Sequence, residues 1–282
     1  MSTRLMLDLP APAKLNLFLH VTGRRPDGYH LLQSVFMLID WCDTLDIEWR
    51  PGQGITREDV DSAQGLPEQD LVVRAAMALQ QATGCTQGAH IRLHKHIPME
   101  AGMGGGSSDA ATCLLALNRL WQLGLDRKAL MQIGLPLGAD VPFFLHGHNA
   151  WVEGIGEQLQ TVALPPGRFC VLKPPGGVPT GQLFQSPKLT RDDPRATIED
   201  FVANSGFGFG TNSLQPVAEV LCTDIKTGLQ WMQERGLKGR MTGSGSALFA
   251  PVDGPDPVVD LPPGWTYRCC NNLNVHPLSG WC

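Results

Sequence analysis

Polar and apolar residues alternate near the start of the chain. Over residues 11–22 one face carries Leu15, Leu17 and Leu19, and the other carries Lys14, Asn16, Phe18 and His20. A period of two predicts a half-buried strand. Lys14 and Asn16 are neighbours on its polar face and point the same way.

Further elements follow from spacing and turn residues. A Pro26-Asp27-Gly28 turn precedes one or two strands over 31–49, and the polar residues 50–67 predict a loop. Asp70 to Thr83 has helical spacing, with Asp70 as N-cap and Gly84 as the stop. We expect strands at 90–97, 169–173, 246–252 and 265–269, alternation at 148–164, and helices at 107–123, 126–134, 196–204 and 213–234. Strands and helices mix without regular βα alternation, which favours an α+β fold.

Composition narrows the class of protein. The 282 residues suggest about two domains, and a composition shift to proline-rich sequence after residue 164 is a candidate boundary. The net charge of −5 argues against a nucleic-acid partner. No apolar run reaches the ~20 residues of a membrane span, and no secretion signal is visible. We therefore expect a cytoplasmic protein, without a membrane partner, that is a monomer or a weak homodimer. The eight cysteines lack metal or disulfide spacing and are predicted to be reduced thiols.

A glycine-rich segment lies between a predicted strand and a predicted helix. Its residues are Pro98, Met99, Glu100, Ala101, Gly102, Met103, Gly104, Gly105, Gly106, Ser107 and Ser108. Three consecutive glycines lack Cβ atoms, so their backbone N–H groups can close around an anion at the positive end of the helix. A tight turn would use the same residues, but the strand–loop–helix context favours a polyphosphate site. The segment matches neither a Walker A loop nor a dinucleotide fingerprint, and the protein-kinase motifs are absent.

A second glycine-containing loop covers Thr242 to Ser246. The loop is consistent with a plain hairpin. It is equally consistent with a loop that closes over the phosphates of a bound polyphosphate.

Two charged residues have open interpretations. Asp140 lies among small and apolar residues, where it fits a helix N-cap or a general base. Lys14 fits an edge lysine that reaches solvent, or a fixed cation beside that base. Phosphoryl transfer needs an aligned hydroxyl, charge neutralisation and Mg²⁺, and these residue types meet that need.

Three segments in order, residues 12–17, 98–111 and 242–246, resemble the motifs of the GHMP small-molecule kinases. Residues 25–30, 138–142 and 153–157 resemble the branch of that family that acts on a cytidine diphosphate ester of methylerythritol. The resemblance extends from about Pro10 to His276. It implies a two-domain α+β fold with an N-terminal ATP-binding domain (1–152), a C-terminal domain (153–282) and the active site in the cleft between them.

The resemblance also implies an activity. ATP would phosphorylate the 2-hydroxyl of the cytidyl substrate, giving the 2-phosphate and ADP, in the non-mevalonate route to isoprenoid precursors. Asp140 would take the hydroxyl proton, Lys14 would stabilise the developing charge, and the 98–108 loop would hold the ATP phosphates. The implied substrate-binding residues are Asn16, Tyr29, His30, Thr180 and Phe184. The Mg²⁺ ligands stay open among Ser108, Asp140 and solvent.

The sequence departs from the family pattern at three positions. Asp70 replaces Asn, Met103 replaces Leu, and Ser213 replaces Asp, which puts a role for position 213 in doubt. Two other functions compete: a GHMP kinase for homoserine, mevalonate or a sugar, and a nucleotide-binding regulator without turnover. The cytidine-reading segment at 25–30 argues against the first, and the presence of both Lys14 and Asp140 argues against the second.

Overall fold

The computed structural model describes residues 4–60, 66–203, 207–254 and 260–282. Residues 61–65 of the predicted loop and residue 204 of a predicted helix lie outside these ranges. The described strands are β1 (Leu5–Arg24), β2 (His30–Arg50), β3 (Ile55–Val60), β4 (Gly88–His94), β5 (Ala150–Glu153), β6 (Gln158–Thr161), β7 (Arg168–Lys173), β8 (Arg240–Met241), β9 (Leu248–Pro251) and β10 (Thr266–Leu273). The described α-helices are α1 (Leu71–Thr83), α2 (Gly105–Leu120), α3 (Arg127–Gly134), α4 (Val141–His146), α5 (Thr180–Gln185), α6 (Ile198–Ala203), α7 (Gln215–Leu221) and α8 (Thr223–Glu234).

The long hairpin of β1 and β2 is the centre of the sheet. The two strands pair antiparallel from Leu5 opposite Glu48 to Arg24 opposite His30. Gly28 in the connecting turn has a φ of 91°, a conformation that a residue with a Cβ rarely adopts. The predicted turn is confirmed, and residues 31–49 form one strand rather than two.

The other edge of β2 pairs with three strands in succession. They are β5 at residues 34–36, β10 at 38–39 and β4 at 44–50. Through β10 the sheet continues to β7, β9 and β8, so the described strands form one ten-stranded sheet. Strand β2 thus joins elements from both halves of the chain.

The alternation predicted for β1 holds only as far as Asn16. The register shifts between Asn16 and Leu19, as in a β-bulge. Phe18 therefore packs with Leu15 and Leu17 in one buried cluster, and Leu19 lines the same cavity as Asn16. The predicted faces of Phe18 and Leu19 are wrong, because an extra residue in one strand reverses every following side chain.

The predicted loop at 50–67 is wrong in part. Residues 55–60 form β3, which pairs parallel to β4. On β3, Arg57 forms an ion pair with Asp59 (2.7 Å between Nε and Oδ1) and another with Asp70 (2.8 Å between Nη1 and Oδ1). Because charged side chains replace apolar ones in this edge strand, it lacks the hydrophobic alternation that strand prediction requires.

Helices α1, α2 and α4 cover one face of the β1–β2–β4 part of the sheet. The carboxylate of Asp70 accepts a hydrogen bond from Val73 N at 3.1 Å, and Gly84 ends α1 with a φ of 68°. Both predicted ends of this helix are confirmed. Helix α2 begins at Gly105, two residues before the predicted start, since its glycines are themselves helical.

The helix predicted over 213–234 is interrupted. Cys222 is extended (φ −136°, ψ 105°) and separates α7 from α8. The backbone of Gly176 packs at this break, and its N–H donates to Asp224 at 3.0 Å. That contact joins residues 48 positions apart, so no local pattern indicates it. Helix α5 was not predicted either.

Mixed strand and helix content confirms the α+β class. The alternating segment 148–164 forms the β5–β6 hairpin. Among the described helices, none combines the length and the apolarity needed to cross a membrane. All eight cysteines lie in described ranges, where they form no disulfide, and burial raises the pKa of Cys170 and Cys270 to about 12.

Replacing Asp70 tests its cap. We expect Asp70→Ala to lower the free energy of unfolding by about 1 kcal/mol, because the Val73 N–H loses its acceptor. Asp70→Asn should lower the free energy of unfolding less, since its amide oxygen can still accept the hydrogen bond from the Val73 N–H. Urea unfolding of the three proteins measures both changes. Equal losses in Ala and Asn would show instead that the charge opposite Arg57 matters more than the cap.

Candidate active site

The glycine-rich segment forms the connection between β4 and α2, as predicted. Residues 98–107 line a cavity of about 440 Å³. Gly102 and Gly104 have φ values of 72° and 71°. A Cβ on Gly104 would lie 2.9 Å from the ring of Phe144, so no larger residue fits. The free N–H groups at the start of α2 can therefore surround a phosphate.

A buried charge network lies at the floor of this cavity. Lys95 Nζ donates to Asp109 Oδ2 at 2.6 Å and also contacts Asp43. Asp43 accepts from the backbone N–H of Ile97 at 2.7 Å and so anchors the chain before the glycine segment. Burial raises the pKa of Asp109, and the carboxylate of Asp43 raises it further, against the opposing effect of Lys95. Sequence reasoning missed this network, because its residues follow no local pattern.

The second glycine loop connects β8 to β9 and also reaches the first loop. Ser246 N donates to Glu100 O and Ala247 N donates to Ala101 O, each at 3.1 Å. A Cβ on Gly102 would lie 2.3 Å from Thr242 O. The loop is thus a hairpin, and it brings Gly243 and Ser244 to a central cavity of about 310 Å³.

Asn212 and Ser213, in the turn before α7, support this arrangement. Asn212 Nδ2 donates to Gly243 O at 2.9 Å and to Met241 O at 2.7 Å. The hydroxyl of Ser213 donates to Leu19 O at 3.0 Å and also contacts Asp193. Position 213, where the family pattern has Asp, therefore holds strand and loop together.

Lys14 and Asp140 meet in the central cavity. Lys14 Nζ lies 3.5 Å from Asp140 Oδ2; Lys14 is 3% exposed, and the Asp140 side chain is 30% exposed. Asp140 occupies the N-cap position of α4, but its side chain accepts no capping hydrogen bond. Its carboxylate is thus available to Lys14 and to a ligand.

Neighbouring residues hold the ammonium group. Lys14 Nζ donates to Asn16 Oδ1 at 2.5 Å and lies 4.5 Å from the centre of the Phe36 ring. Asn16 Nδ2 donates to Ser34 Oγ at 3.0 Å, which orients the amide oxygen toward Lys14. The backbone N–H of Lys14 donates to Met103 O, so β1 is tied to the glycine segment.

A third cavity, of about 640 Å³, opens beyond the Lys14–Asp140 pair. Tyr29, His30, Thr180 and Phe184 line it. The rings of His30 and Phe184 lie 4.9 Å apart at 31°, and Tyr29 is 60% exposed. Thr180 Oγ1 lies 2.7 Å from Ser244 Oγ. The apolar ring faces and few polar groups suit a flat heteroaromatic ligand.

The three cavities share walls. Gly102, Gly104 and Ser107 border both the first and the central cavity. Leu32, Ala139, Ile155, Thr180 and Phe184 border both the central and the third. All predicted site residues except Ser108 line at least one of the three. Ser108 is buried at the start of α2, and its hydroxyl has no hydrogen-bond partner among the described residues.

Comparison with known proteins places the chain in a family. The family described as GHMP kinases N terminal domain matches residues 70–148, and GHMP kinases C terminal matches 195–261. A protein of Paracidovorax citrulli named 4-diphosphocytidyl-2-C-methyl-D-erythritol kinase is 62% identical over 99% of this chain and 98% of its own. A protein of Acidovorax ebreus with the same name is 58% identical over 98% of each chain.

Solved structures agree. A crystal structure of a 4-(cytidine 5'-diphospho)-2C-methyl-D-erythritol kinase is 37% identical, with a TM-score of 0.75, and covers 89% of this chain and 91% of its own. A homoserine kinase from Cytophaga hutchinsonii shares the fold at 14% identity, with a TM-score of 0.71 over 98% of this chain and 96% of its own. The chain is therefore a kinase with the GHMP fold and belongs to the 4-diphosphocytidyl-2-C-methyl-D-erythritol kinases.

Proposed function

We propose that the protein transfers the γ-phosphoryl group of ATP to the 2-hydroxyl of 4-diphosphocytidyl-2-C-methyl-D-erythritol, releasing ADP. The observation that carries this proposal is the position of the Lys14–Asp140 pair, between a glycine-lined cavity and an aromatic one. A molecule with a base at one end and an alcohol toward the other end can reach the pair from the aromatic side. The reaction belongs to the non-mevalonate route to isoprenoid precursors.

The glycine segment supplies the phosphate site. Membership of the GHMP kinases implies ATP as the donor. The N–H groups at the start of α2 would bind its phosphates, since that helix end is positive. The shared wall at Gly104 and Ser107 supports a γ-phosphoryl group that extends into the central cavity.

Asp140 and Lys14 act on the acceptor. The partly exposed carboxylate of Asp140 accepts the proton of the substrate hydroxyl and orients the hydroxyl oxygen toward the γ-phosphorus. Lys14 compensates the charge of that carboxylate and of the transferring group. Because the transition state of phosphoryl transfer is loose, alignment of the reactants and charge compensation account for most of the catalysis.

Two oxygen donors fit Mg²⁺. The Asp140 carboxylate lines the central cavity. The buried Ser108 hydroxyl has no hydrogen-bond partner among the described residues, so it could bind a hard cation or a phosphate oxygen. We propose that these two oxygens would hold the ion together with the nucleotide. When bound, Mg²⁺ would neutralise part of the charge of the ATP phosphates.

The aromatic cavity takes the cytidine. Tyr29 and Phe184 would stack on the base, and His30 would bind its polar edge. Thr180 closes the wall toward the central cavity, and Asn16 contacts the substrate from beside Lys14.

We propose a division into an ATP-binding domain (1–152) and a C-terminal domain (153–282). The two family matches fall on opposite sides of this boundary. The sheet continues between the two parts through β10, which pairs with β2.

A substrate panel tests the activity. The cytidyl substrate, homoserine and mevalonate are each assayed with Mg-ATP. We expect ADP release only with the cytidyl substrate. Turnover with only another alcohol would support the kinase activity and contradict the proposed cytidine site. ATP binding without turnover of any alcohol would favour a regulator.

The Asp140→Asn variant tests the base. An amide of the same size cannot accept the hydroxyl proton, so kcat should fall about 10²- to 10⁴-fold, whereas the glycine segment should still bind ATP. Steady-state ADP release and ATP titration measure the two quantities. Unchanged kcat with normal ATP binding would overturn the assignment.

The Phe184→Ala variant tests the stacking surface. Loss of one base–aromatic stack, worth about 1–3 kcal/mol, should raise KM for the cytidyl substrate about 5- to 150-fold. Phe184→Tyr retains a ring and should stay near the wild-type value, as should KM for ATP in both variants. An unchanged KM in Phe184→Ala would place the cytidine elsewhere.

A further inference from the structure

Arg191 connects two walls of the aromatic cavity. It lies in the segment between α5 and α6, outside every motif singled out in the sequence. Its Nε donates to His30 Nε2 at 3.0 Å. Its Nη2 donates to the carbonyl oxygens of Phe184 and Ser186, each at 2.9 Å. These bonds fix the guanidinium group against the His30 ring.

The contact determines where the proton of His30 lies. A guanidinium group only donates hydrogen bonds, so Nε2 of His30 must accept. Burial lowers the pKa of His30, and the positive charges of Arg191 and Arg24 lower it further, so the ring is neutral at neutral pH. A neutral ring that accepts through Nε2 carries its one proton on Nδ1. Among the described residues, Nδ1 has no hydrogen-bond partner.

A ring fixed in this tautomer can distinguish two pyrimidines. The N3 atom of cytosine accepts a hydrogen bond, whereas N3–H of uracil donates one. An Nδ1–H group can pair with N3 of cytosine but meets a second donor in uracil. A free histidine could adopt the other tautomer and accept from uracil. A site that forms a specific hydrogen bond with its ligand rejects an analogue that leaves the donor of the site without an acceptor.

We infer that Arg191 is a positioning residue that sets base specificity: it holds His30 as an Nδ1–H donor, so that the cavity takes a cytidine diphosphate ester in preference to the uridine one. This inference rests on the proposed function. Arg191 also supports the chain around Phe184, so a test must separate tautomer control from support of the wall.

Tautomer control and support of the wall are separated by one ratio. It is kcat/KM for the cytidyl substrate divided by kcat/KM for its uridyl analogue. In Arg191→Met we expect the ratio to fall about tenfold, through KM, with kcat for the cytidyl substrate and KM for ATP little changed. In a His30→Ala background, the same substitution should leave the ratio unchanged, since the residue through which it acts is gone. Arg195→Met makes the same chemical change at an exposed position of this segment and should match the wild type.

A loosened wall would weaken both substrates alike. An unchanged ratio in Arg191→Met, or an equal fall in the His30→Ala background, would therefore overturn the inference and leave Arg191 a structural residue. If the wild-type protein does not phosphorylate the cytidyl substrate, the proposed function fails, and this failure is seen before any variant is made.

A second measurement is independent of turnover, and its result for the wild type does not depend on whether Arg191→Met folds. In the full-length protein labelled with ¹⁵N in its histidine rings, NMR correlation between ring nitrogens and ring protons shows which nitrogen of His30 is protonated. We expect protonation at Nδ1 in the wild type and a mixture of tautomers in Arg191→Met. Protonation of wild-type His30 at Nε2 would overturn the inference.

Discussion

The ammonium group of Lys14 is almost fully buried, and a cation removed from water must find counter-charge and acceptors within the protein. Asp140 supplies the charge, Asn16 supplies an acceptor, and the Phe36 ring supplies a favourable face. These partners come from β1, from β2 and from the start of α4. The requirement to compensate one charge thus brings sheet and helix to a common point, and removing one partner of such a pair costs far more than the pair contributes.

Both glycine loops are tied to the same strand. Lys14 N donates to Met103 O in the first loop, and Asn16 N donates to Thr242 Oγ1 in the second. The loops also bond directly to each other through Glu100 and Ala101. Hydrogen bonds and an ion pair therefore join the two glycine loops, the cation and the carboxylate. A reaction that depends on alignment and charge compensation needs such fixed positions more than it needs a strong nucleophile.

Charged residues support both the glycine-lined cavity and the aromatic cavity. Below the glycine segment, Lys95 is bound between Asp43 and Asp109, and Asp43 also holds the backbone at Ile97. Behind the aromatic cavity, Arg191 holds His30 and the chain at Phe184. In both places hydrogen bonds from charged groups fix residues that border a cavity.

Local patterns in the sequence determined what depends on a few consecutive residues. The alternation up to Asn16 put Lys14 and Asn16 side by side, Asp70 and Gly84 set the ends of α1, and the glycine-rich segment predicted the connection between β4 and α2. Only the tertiary structure decided the reversal of Phe18 and Leu19, the strand at 55–60 and the break at Cys222. It alone brought Arg191 to His30, 161 positions earlier in the chain. Periodicity and capping act over one or two turns of backbone, whereas a bulge, an edge strand with charged residues and a contact between distant segments are selected by packing of the whole chain.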